Sequence, residues 1–90
     1  MAIKIKNNEV ITLADANEIE LFLESANPDM LVFVDVVTSS SGIRFSVGET
    51  IDDLKHYARP AGAGFHITVN NTNRTLRAKG AINDKFVVAW

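Results

Sequence analysis

The sequence predicts a single α+β domain over residues 1–90: a largely antiparallel sheet of six to seven strands with two helices packed on one face, in the order ββαββαβββ. Three observations carry that expectation. Short stretches rich in Val, Ile, Phe and Thr alternate with polar residues, the period of a half-buried strand. Two stretches, 15–26 and 50–59, join a capping residue to apolar side chains at helical spacing. And 90 residues with 47% apolar and 22% charged content suit one hydrophobic core and leave no room for a second.

The opening reads as a hairpin. Ile3 and Ile5 alternate with Lys4 and Lys6, Asn7-Asn8 supplies turn chemistry, and Glu9-Val10-Ile11-Thr12-Leu13 returns as a second strand. Asp15 then stands as a helix N-cap with Glu18 at the capping-box position. Ile19, Phe22, Leu23 and Ala26 form one apolar stripe, and Asn27-Pro28 ends the helix because proline disfavours helical backbone before it. Met30 to Thr38 reads as a central strand, apolar on both faces. Ser39-Ser40-Ser41-Gly42 is a loop, answered by the alternating strand Ile43-Arg44-Phe45-Ser46-Val47. Thr50 caps the second predicted helix, with Ile51, Leu54 and Ala58 as its buried side. Asp52 and Asp53 in its first turn and Lys55, His56 and Arg59 towards its last suit the helix dipole, and Pro60 stops it. Three strands finish the chain: Phe65 to Val69, Thr75 to Lys79 and Lys85 to Trp90, with turns at Asn71-Thr72-Asn73 and near Gly80 or Asn83-Asp84.

Composition excludes several classes. With no Cys, disulfide scaffolds, thiolate zinc sites and cysteine nucleophiles are out. No apolar run is longer than Met30 to Val34, which falls far short of the roughly 20 residues a membrane helix needs. The opening MAIKIKNN has no apolar core of a secretory signal, so a soluble, cytoplasmic domain with no membrane partner is expected. Net charge is only −2, but it is unevenly placed. Residues 1–54 hold three basic against ten acidic residues, and residues 55–90 hold six against one. Such asymmetry points to an anionic partner, to association between copies, or to two halves that neutralise one another.

Strand periodicity then assigns faces. With each strand's apolar set turned to the helices, Lys4, Lys6, Arg44, Arg77, Lys79 and Lys85 line the outer side of the sheet, joined by Ser46, His66, Thr68 and Asn70. The same side carries Leu31, Phe33, Val37, Val87 and Ala89, more apolar surface than a free sheet leaves in water unless the sheet closes over it. Asp35 interrupts a Val-rich run, and the simplest account pairs it with Arg44 or Arg77 across the sheet.

Catalytic constellations are missing from the pattern. His56 and His66 have no Asp or Glu at metal-ligand spacing, so no metal site or cofactor is expected; the first reads as a cation near a helix end and the second as an exposed strand residue. Gly62-Ala63-Gly64 has the G-x-G spacing but runs from a helix into a strand, the wrong direction for a phosphate cradle. Asn70-Asn71-Thr72 and Asn73-Arg74-Thr75 match the glycosylation sequon by chance in an Asn-rich turn. The expectation is therefore a small non-enzymatic interaction module, a regulator or inhibitor docking on a larger protein or protein complex through its sheet face, or on a second copy as a homodimer. Lys4, Lys6, Arg44, Arg77 and Lys79 would steer, with Leu31 and Phe33 as apolar anchors. The alternative is a single-stranded nucleic-acid or nucleotide-binding domain, its phosphates met by the same basic face with His66 and Thr68.

Overall fold

The computed structural model describes residues 3–24, 29–70 and 74–90. These form eight strands: β1 (Ile3–Ile5), β2 (Glu9–Thr12), β3 (Ile19–Leu23), β4 (Met30–Thr38), β5 (Arg44–Val47), β6 (Gly64–Val69), β7 (Thr75–Lys79) and β8 (Lys85–Ala89). They divide into two four-stranded sheets, ordered β1-β3-β7-β5 and β2-β8-β4-β6. All odd strands lie in the first and all even strands in the second, so every connection carries the chain from one sheet to the other. Pairing is antiparallel throughout except between β1 and β3, which run parallel.

The α+β expectation is overturned: the described residues contain no helix, and the sheet is not one but two. At 15–26 the apolar side chains satisfy two periods at once. Ile19, Leu21 and Leu23 alternate as well as Ile19, Phe22 and Leu23 stack, and β3 uses the alternation, burying Leu21 and Leu23 completely. The cap-like residues keep their chemistry in another geometry. Asp15 accepts a bond from the backbone of Asn17 two residues on, an Asx turn and not a helix cap. At 50–59 a single helical turn forms, with the Lys55 and His56 amides donating to the Asp52 carbonyl, and it is not continued. Leu54, assigned to a buried helix face, is 99% exposed. Too few apolar side chains converge there to hold a helix shorter than about 12 residues.

The predicted opening hairpin is corrected as well. Asn8 adopts the left-handed backbone a turn needs, with φ of 61°, but the turn sends β1 and β2 into different sheets. Likewise β5 answers β7, not β4. The predicted stop at Asn27-Pro28 and turn at Asn71-Thr72-Asn73 lie outside the described residues.

The core lies between the sheets. Ile5, Leu21, Leu23, Phe45, Leu76 and Ala78 descend from one sheet onto Met30, Val32, Val34, Val36, Val69, Phe86 and Val88 from the other. Phe45 bridges the layers, meeting Phe86 edge-on and Phe65 at a tilt, each with ring centroids 5.1 Å apart. Loops are fastened by polar groups. Buried Asp84 accepts bonds from the Ser39 hydroxyl and the Ser40 and Ala81 amides. Gly42 has φ of 94°, and a Cβ there would sit 2.7 Å from the Ala58 methyl carbon, so only glycine lets the segment before β5 pass. No helix among the described residues is long and apolar enough to cross a membrane.

Candidate functional site

The two sheets split the predicted docking face in two. Lys4, Arg44, Arg77 and Lys79 stand on the outer side of the β1-β3-β7-β5 sheet, and Lys6 follows β1 at its edge. Leu31, Phe33, His66 and Thr68 stand on the outer side of the other sheet, across the core from them. Cationic and apolar parts therefore do not share a surface.

On the cationic side the positive charge is largely spent within the molecule. Residues 48–59 lie over this sheet: the Arg44 guanidinium donates to the carbonyls of Asp53 and His56 at 3.1 and 2.6 Å, and the Ser46 hydroxyl donates to the Glu49 carbonyl. Asp53 is also ion-paired with Arg44 and with Lys79. Arg77 holds Glu18 at 2.9 Å and Glu20 at 2.6 Å. The Glu18 hydrogen bond is the larger cause raising the Arg77 pKa above its ordinary value, so the guanidinium stays charged. Glu18 also accepts from the Ile51 amide, tying the covering segment to the sheet. Lys4 alone among these four has no ion pair to a described residue.

The apolar side is open. β4 alternates buried and exposed residues along its length, and its outer set is Leu31, Phe33, Asp35 and Val37. Antiparallel register places Thr68 beside Leu31, His66 and Ala89 beside Phe33, and Gly64 and Val87 beside Asp35. Val10 continues the face on β2, opposite Val87. Leu31, Phe33, Val37 and Val10 are 47–62% exposed, so the sheet does not curl over to bury them. The Phe33 and His66 rings lie 6.2 Å apart and tilted, a contiguous aromatic step. Asp35 belongs to this side, so the predicted pair with Arg44 or Arg77 does not form; its carboxylate rests over Gly64, where a Cβ would collide with it.

A cleft opens where the edge strands β5 and β6 face each other across the layers. Its volume is about 270 Å³, with Phe45, Val47, Phe65, Ile67 and Leu76 as apolar walls and Glu49, His56, Arg59 and His66 around them. His56 accepts the Asp52 amide at Nδ1, which leaves its Nε2 as the protonated nitrogen facing Glu49 at 3.0 Å. Hydrogen bonding from Lys55, and then from His56, holds the Glu49 carboxyl below its ordinary range. Arg59 is fixed by two backbone hydrogen bonds to Ile43. Its guanidinium lies 4.0 Å from the Phe65 ring centre and 4.7 Å from that of Tyr57. Sequence reasoning missed this cleft because it assigns Arg59 to the end of a helix; the aromatic residues on either side of it, Tyr57 and Phe65, were the available signal.

No described cluster of three or more His, Asp and Glu side chains is placed to hold a metal ion. Compared with known proteins, the chain matches no family model, no curated protein and no solved structure.

Proposed function

We propose that the chain is a non-enzymatic interaction module that docks on a protein partner through the outer face of the β2-β8-β4-β6 sheet. One observation supports the reading above others: Val10, Leu31, Phe33 and Val37 lie half-exposed on the same side of one sheet. Isolated apolar residues on a surface are ordinary, whereas a contiguous set is a mark of an interaction site. Four strands at about 4.8 Å spacing and about five residues each give this face on the order of 350 Å². Covering it on both partners removes roughly 700 Å², the size of a transient contact unless neighbouring loops join in. Asp35 and Lys85 place one charge of each sign within the face, neither in a described ion pair, so the partner sets opposite charges against them within an apolar surface and is not uniformly acidic. The nucleic-acid reading draws less support, because Arg44, Arg77 and Lys79 are engaged by carboxylates and phosphate binding requires free cations.

Gel filtration of extracts chemically crosslinked before lysis, from cells expressing the tagged chain, tests the docking reading, because crosslinking retains a transient contact. Wild type is expected to elute in a larger assembly, and Phe33→Asp, folded by circular dichroism, as the free tagged chain. Identical elution of the two proteins, in either position, overturns it.

A further inference from the structure

The cleft between β5 and β6 has a chemistry distinct from the docking face. We propose that it is a binding site for a small aromatic carboxylate, with the ring against Phe45, Phe65 and Ile67 and the carboxylate on the Arg59 guanidinium. Size comes first. About 270 Å³ lies just under the roughly 300–1,000 Å³ of pockets for drug-sized ligands, which suits one ring with a short polar group.

Charge comes second. Arg59 has no described carboxylate within ion-pair distance, unlike Arg44 and Arg77. Among the described residues its charge is met only by the faces of Phe65 and Tyr57. Contact with the two rings restrains the guanidinium, its N–H groups have no described hydrogen-bond partner, and paired guanidinium N–H groups match the two oxygens of a carboxylate. Because the Arg59 backbone is already pinned to Ile43, little ordering remains to be done on binding.

Glu49 sets the selectivity. Its carboxylate borders the same cleft and is kept ionised by Lys55 and His56. A dianionic phosphate ester would be repelled there more strongly than a monoanion. The His56 imidazole is committed at both nitrogens, so it serves to hold Glu49 and not to contact the ligand.

Titration of the isotopically labelled whole chain with sodium benzoate, followed by amide NMR shifts, decides the matter. The expected result is saturable shifts centred on Arg59, Phe65 and Ile67. Benzyl alcohol, which keeps the ring and lacks the charge, is expected to bind at least about tenfold more weakly, the scale of one charge-assisted hydrogen bond. Arg59→Gln is expected to lose a similar factor with benzoate. Three results would overturn the proposal: no saturation by tens of millimolar benzoate, shifts centred on Phe33 instead, or equal affinity for benzoate and benzyl alcohol. The last comparison uses the wild-type chain, so it stands even if Arg59→Gln disturbs the fold.

Discussion

Asp84 is 2% exposed and accepts three hydrogen bonds, two of them from the loop that precedes β5. Removing it takes the acceptor away from three part-buried hydrogen bonds, those of the Ser40 and Ala81 amides and the Ser39 hydroxyl. Asp84→Ala is expected to lower unfolding free energy by about 2–4 kcal/mol, measured by urea denaturation. A change under about 0.5 kcal/mol would show that water takes its place. Arg77, expected as a steering cation, is held in ion pairs with Glu18 and Glu20. Arg77→Ala leaves Glu18 and Glu20 facing each other on one side of β3, and is expected to cost about 1–2 kcal/mol after allowing for solvent screening. The same denaturation experiment checks it, and an unchanged midpoint would return Arg77 to the list of free cations. Neither role was legible along the chain. Glu20 meets Arg77 only through the β3–β7 register, which a strand read as a helix conceals.

At the scale of elements, 15–26 and 50–59 show what a local reading can and cannot settle. Met30–Thr38 was legible as a central strand, because its Val and Phe residues leave no polar face, and it lies between β8 and β6 as such a strand must. For β3 the residues admitted both periods, and the choice was made by tertiary contact with β1 and β7, which no local propensity encodes. The Asx turn at Asp15 and the single turn after Asp52 use the residues that mark helix starts, since the side-chain-to-backbone bond is the same in both. Segment 48–59 is held to the sheet through Asp53 on Arg44 and Lys79 and braced within itself by Glu49 on Lys55 and His56, and the second set gives a pH prediction. The folded pKa of Glu49 lies below its ordinary 4.5, through Lys55 first and His56 second. The unfolded chain therefore binds more protons between the folded value and 4.5, so this contribution is complete above 4.5 and disappears as pH falls through the folded value. Thermal melts from about pH 6 down to about pH 3 are expected to show a shallower acid-side loss for Glu49→Gln than for wild type. Parallel curves would contradict the assignment.

Across the whole molecule, the alternation of odd strands in one sheet and even strands in the other means that no strand pairs with its neighbour in sequence. Each ladder must close a loop before it forms, so refolding is expected in milliseconds to seconds by stopped-flow fluorescence of Trp90, and microsecond refolding would contradict this topology. The charge asymmetry of the chain finds its meaning at the same scale. Arg77 with Glu18 and Glu20, Lys79 with Asp53, and Lys55 with Glu49 all join a cation of the basic part to an acid of the acidic part. Much of the asymmetry was legible as a pattern, and the fold turns it inward onto the cationic sheet. The other sheet is left with an apolar outer face, and on that face the functional account rests. The measurement that tests it most directly is site-specific photo-crosslinking in cells, with a benzophenone side chain placed at Phe33 in one protein and at Lys4 in another. The account predicts a discrete protein adduct from position 33 and none from position 4, whether the adduct has the mass of a different protein or of a second copy. An adduct pattern that is the same from both positions, or absent from position 33, would contradict it.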